Sequence, residues 1–216
     1  MKKHLLPIVL SILCATTACA QKTMSDNAYQ RNELLKNSSF EDEAKPIRNR
    51  RFGPNGEGEL FGGYLPAGII PGWFVSTGEG SQIVVTTDNL SDPTQRNALC
   101  WTISEATSTS PAAIVNVGIH GIDAIKGSKY TLTFWAHADK KYKGKLRVGL
   151  QSKDDGTWYA QSTIKGKIKK KWKRYTLTFT AEGDEPNARF VIEADMPGTL
   201  YLDEVSLYCC PAAIKR

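Results

Sequence analysis

Along residues 128–151, apolar and polar side chains alternate with a period of two. Tyr130, Leu132, Phe134, Ala136 and Ala138 fall on one side and Thr131, Thr133, Trp135 and His137 on the other, the signature of a half-buried strand. Leu146, Val148 and Leu150 against Arg147, Gly149 and Gln151 repeat the pattern. The Lys-rich segment between the two runs reads as a turn joining neighbouring strands, whose shared outer face would carry Trp135, His137, Arg147 and Gln151. Residues 172–180 alternate again with Tyr175, Leu177 and Phe179 inward. Residues 188–194 set Phe190 and Ile192 inward against Arg189, Val191 and Glu193 outward. In residues 200–208 the phase changes between Leu202 and Val205, which predicts a β-bulge near Asp203 and Glu204.

Shorter strands are expected after Trp73 and over residues 83–87, 98–104, 113–117 and 158–164, with SKDDGT at 152–157 as a turn. Residues 48–72 hold seven glycines and three prolines and form a long irregular loop. The mature chain shows no convincing amphipathic helix, so the apolar strand faces must be covered by a second sheet. About nine to eleven strands with closely spaced turn signals predict an all-β, antiparallel β-sandwich or jelly roll.

The N-terminus changes the picture of where this domain works. Lys2 and Lys3 precede the apolar run 5–13, too short to span a bilayer, which marks residues 1–20 as an export signal. Two cleavage readings stay open: Ala18, Cys19 and Ala20 fit a small-x-small site, while residues 16–19 resemble a lipobox that would lipidate Cys19. The expected product is exported, secreted, periplasmic or held at the cell surface, touching a membrane only through that anchor. Residues 21–32 are a polar linker, 33–210 the sandwich and 211–216 a tail.

The formal charge of +6 falls to +4 without the two charges of Lys2 and Lys3, and much of the rest lies in KGKIKKKWKR at 165–174. Such a run attracts anionic polysaccharide or a membrane surface, or simply guards a strand edge. Export argues against nucleic acid. Cys100, Cys209 and Cys210 remain after processing, enough for one bridge and a free thiol, although Cys100 also suits a small buried position. No Cys/His spacing suggests zinc. Gly-x-Ser-x-Gly, phosphate-loop and HExxH motifs are absent, and Asp154, Asp155, Asp184 and Glu185 sit in turns, which suits solvation better than glycosidase catalysis.

LLKNSSFED at 34–42, PGW at 71–73, KGSKYTLTFWAHAD at 126–139, KKWKRYTLTFTA at 170–181 and LYLDEVSLY at 200–208 together resemble the carbohydrate-binding modules of families 4, 9 and 22. NVGIHGI at 116–122 is closer still to the N-terminal module of family 51 α-L-arabinofuranosidases, although nothing here resembles their catalytic barrel. The resemblance implies non-catalytic binding of a plant-type polysaccharide (a β-glycan, xylan or arabinose-bearing glycan) near a partner glycoside hydrolase. An accessory piece of an arabinofuranosidase and an adhesion domain remain alternatives. The resemblance also implies a structural calcium held by Glu41 and Asp203, with Asp42 as a third carboxylate; hydrogen bonds to nearby backbone are the other reading.

Sugar binding needs aromatic planes and hydrogen-bonding groups. Trp135 is the foremost candidate, followed by Trp158 and Tyr159, one of which should face outward by alternation, and by Trp101. Arg147, Gln151, Arg189 and Glu193 are the polar candidates, while Trp73 and Trp172 read as packing.

Overall fold

The computed structural model describes residues 33–41, 70–87 and 97–210. The export signal with Cys19, the linker, Asp42, the long loop up to residue 69 and the tail lie outside the described residues. Eleven strands are described: β1 (Trp73–Thr77), β2 (Gln82–Thr87), β3 (Asn97–Ile103), β4 (Ala112–Asn116), β5 (Ile122–Ala124), β6 (Lys129–Ala138), β7 (Leu146–Ser152), β8 (Trp158–Thr163), β9 (Lys173–Thr180), β10 (Glu185–Ala194) and β11 (Gly198–Cys210).

They form two antiparallel sheets, and the sandwich expected from the alternation is what the chain adopts. One sheet runs β1-β4-β10-β7-β8, with β5 pairing the first residues of β10; the other runs β2-β3-β11-β6-β9. Every residue assigned to the inward face of β6 is buried, as are Leu146, Val148, Leu150, Phe190 and Ile192. Trp73 packs at this centre, as expected, with Phe40 and Phe190 rings 5.4 and 6.2 Å away, and its Nε1 donates to the Asn37 carbonyl at 3.0 Å.

One expectation fails. The strands β6 and β7 are not a hairpin: β6 lies between β11 and β9, and β7 between β10 and β8, in opposite sheets. The segment between them is a plug rather than a turn. Asp139 Oδ1 accepts from the amides of Lys141 and Tyr142, and the Tyr142 ring, 3% exposed, enters the core, its hydroxyl donating to the Lys145 carbonyl at 2.8 Å. That buried aromatic, hidden in a lysine-rich stretch, carries the chain across the end of the sandwich.

The phase change in β11 is resolved as foreseen. Pairing with β6 shifts register between Asp203 and Ser206, and Glu204 takes a φ of 47°, so Leu200, Leu202, Val205 and Leu207 all end up buried. The segment at 33–41 is tied to this strand and to β4. Glu33 pairs as an isolated bridge with Tyr208, and its carboxylate accepts from the amides of Leu35 and Leu207 and the Ser206 hydroxyl. Buried Asn116 accepts from the Lys36 amide and donates to the Lys36 carbonyl.

Candidate functional site

Cross-strand register organises the outward face of the β1-β4-β10-β7-β8 sheet into rows. Glu193 stands opposite Arg147, which stands opposite Thr163; Phe74, Val115, Val191, Gly149 and Gln161 form the middle row; Arg189 faces Gln151, which faces Trp158. The outer rows lie four residue steps apart along β7 and β10, a span of about 13 Å at roughly 3.3 Å per residue. Phe74, Ala113, Val115 and Val191 make a buried apolar floor, against which Trp158 packs.

A connected polar chain lies over this floor. Arg147 grips Glu193 Oε2 through Nε, at 2.8 Å, and Nη2. Gln151 Nε2 donates to Glu193 Oε1 at 3.2 Å, and Arg189 Nη2 donates to Gln151 Oε1 at 3.3 Å. The Arg147 guanidinium also lies 4.8 Å from the centre of the Trp158 ring, a cation–π contact. Gln151 is only 6% exposed and Glu193 9%, so the chain is ordered before any ligand arrives. Arg189 Nε is buried without a hydrogen-bond partner among the described residues, and burial lowers its guanidinium below the ordinary value while Glu193 acts against that shift. Beside the Arg147 end, a pocket of about 250 Å³ is lined by Ser108, Pro111, Lys145, Arg147, Thr163, Glu193 and Asp195.

The structure thus brings together Trp158, Arg147, Gln151, Arg189 and Glu193, and separates the other candidates from them. Trp135, on β6, pairs with Asp203 and Arg174 on the opposite sheet and faces the other side of the sandwich. The single face expected for Trp135 and Arg147 was a consequence of the hairpin that does not form. Trp101 is fully buried in the core, on the inward phase of β3 with Leu99 and Ile103. Tyr159 packs against the core, so of the adjacent aromatics it is Trp158 that faces out, as alternation required. Trp172, read as packing, instead stands edge-on to His137 at 4.4 Å on the outer side of β6, where His137 stacks on Tyr201 at 4.3 Å. The sequence reading missed the floor residues Phe74 and Val115, whose outward placement depends on register alone.

Calcium takes about six to eight oxygen ligands. Glu41 Oε1 accepts from the Asn97 amide at 2.8 Å and Oε2 from its Nδ2 at 3.2 Å; Asp203, 1% exposed, accepts from the Glu204 amide at 2.7 Å. The Val205 amide donates to the Ser38 carbonyl, so the β11 bulge lies against the segment that carries Glu41. Among the described residues no group of three or more His, Cys, Asp or Glu gathers as ligands. Cys100, Cys209 and Cys210 are free thiols.

A family model described as a carbohydrate binding domain, CBM_4_9, matches residues 32–198. The chain belongs to this family. Among solved structures, this carbohydrate binding domain is similar to an arabinose-bound MgGH51 α-L-arabinofuranosidase, at 20% identity and a TM-score of 0.61, over 86% of this chain and 27% of that one. The chain therefore spans about a quarter of that protein's length. It is also similar to the CBM22-1 xylan-binding domain from Paenibacillus barcinonensis Xyn10C, at 14% identity and a TM-score of 0.46, over 66% of this chain and 88% of that one. The N-terminal cellulose-binding domain from Cellulomonas fimi β-1,4-glucanase C matches at 18% identity and a TM-score of 0.41, covering 67% and 91% respectively. The likeness to the arabinofuranosidase is one of fold. No curated protein sequence matches the chain.

Proposed function

We propose that the outward face of the β1-β4-β10-β7-β8 sheet binds a neutral plant-type polysaccharide, a β-glycan, xylan or arabinose-bearing chain, and holds it for a partner glycoside hydrolase without itself cleaving it. The observation that carries the proposal is the polar chain Arg189, Gln151, Glu193 and Arg147 laid beside Trp158 over an apolar floor. A sugar ring needs an aromatic plane for its C–H face and paired donors and acceptors for its hydroxyls, and this face supplies both. Arg189 Nε supplies a donor whose desolvation cost is already met and whose bond is still unmade. The ion-paired Glu193 serves here as an acceptor. The reading includes export, with Cys19 as the residue a lipid anchor would use, and a structural calcium at Glu41 and Asp203.

Affinity electrophoresis in gels of neutral glucan, xylan and arabinan tests the site. Trp158→Ala is expected to weaken binding by about 1–3 kcal/mol, the scale of a lost aromatic contact, while Trp135→Ala on the opposite sheet leaves it unchanged. Loss with Trp135→Ala and retention with Trp158→Ala would move the site to the other face.

A further inference from the structure

We infer that the end of the sandwich built by the β6–β7 and β8–β9 connections is a second binding surface, for an anionic polysaccharide. These two connections are separate in sequence, and the fold makes them neighbours. The Ala138 amide at the end of β6 donates to the Lys169 carbonyl at 2.9 Å, and the Ile164 amide donates to the Leu146 carbonyl at 2.9 Å, so both cross between the sheets at the same end. The first carries four lysines from Lys140 to Lys145 and the second five from Lys165 to Lys171, all exposed.

Their charge is met only in part. Among the described residues none of these lysines forms a salt bridge; Asp139, held below its ordinary value against burial by backbone amides and by the nearby Lys141 charge, accepts from the amides of Lys141 and Tyr142, and Asp195 accepts from the amide of Lys145. Nine lysines gathered at one end beside only Asp139 and Asp195 among the described residues raise the local potential and favour a multivalent anion. Trp172, half-buried against His137, sets an aromatic plane among them. Cations beside an aromatic plane suit a chain of uronate sugars, whose rings stack while their carboxylates pair. A bilayer would instead call for exposed apolar side chains, and Tyr142, Ile164 and Ile168 of these connections are all turned inward.

Affinity electrophoresis of the purified protein in polygalacturonate gels tests the surface independently of the neutral-glycan site. Retardation is expected at low salt and should vanish between about 0.01 and about 1 M ionic strength, as the screening length falls from about 30 to about 3 Å. Changing Lys169, Lys170 and Lys171 to Gln should raise the polygalacturonate concentration for half-retardation by about tenfold, and changing Lys140, Lys141 and Lys143 to Gln on the other connection should do the same. Trp158→Ala should have no effect. Absence of retardation, retardation unchanged in either triple variant, or binding to phosphatidylglycerol vesicles but not to polygalacturonate would overturn the inference.

Discussion

At Gly149 a single missing side chain sets the geometry of the face that carries Trp158. A Cβ there would lie 1.9 Å from the Ala160 carbonyl oxygen and 2.7 Å from the Gln161 Cα, both backbone atoms of β8, so any larger residue pushes that strand away. The register between β7 and β8 shifts just beyond, where Gln151 faces Trp158. Gly149→Ala is therefore expected to destabilise the fold by about 1–3 kcal/mol through overpacking, and to weaken neutral-glycan binding by displacing Trp158. A variant with unchanged melting temperature and affinity would show that β8 yields without cost. The sequence marked Gly149 as one outward position between two polar ones, but not why it had to be glycine. Arg147 and Glu193 were likewise each legible as outward, while their pairing needed the register across β7 and β10, which no single strand encodes.

Strands of six or more residues announced themselves, because burial of one face imposes alternation that survives in the sequence. β5, with three residues, is too short to carry a period, and it was not foreseen. The β11 bulge was legible for the same reason the strands were: apolar residues that change phase must be returned to the core by an extra residue. The resemblance placed Glu41 near Asp203, but the role of Glu33 in anchoring 33–41 to β11 was not legible, since its partners lie far along the chain. Burial raises its carboxyl above the ordinary 4.5, against opposing hydrogen bonds from Ser206, Leu207 and Leu35. A folded-state value above the unfolded one means the proton binds the fold more tightly. Glu33 thus contributes stability that is present below the unfolded value and is lost as pH rises through the folded one. Glu33→Gln, which cannot ionise, should flatten the stability profile over that acid window, measured as denaturation midpoints against pH. Parallel profiles for the two proteins would exclude Glu33 as the source.

For the whole molecule, alternation gave the layers and not their connectivity. The β6–β7 hairpin was the natural reading of two patterned runs around a polar segment, and Tyr142 is the one apolar residue that could have warned against it. Because the chain crosses between sheets there, the candidates split into the Trp158 face, the Trp135 face and a basic end. The 33–41 segment and the β11 bulge meet on the same sandwich, and the calcium proposal belongs to this scale because an ion at Glu41 and Asp203 would tie them. Burying Asp203 at 1% exposure costs free energy that a divalent ion bound there would offset. An ion bound by the native state alone, at about a hundred times its dissociation constant, stabilises by about 2.7 kcal/mol. For a domain of this size that corresponds to about 5–10 °C in melting temperature. Excess chelator should lower the melt by this amount, calcium should restore it, and Asp203→Asn should melt low with or without calcium. An unchanged melt in chelator, with no metal found by elemental analysis, would leave Glu41 and Asp203 as hydrogen-bonding residues only.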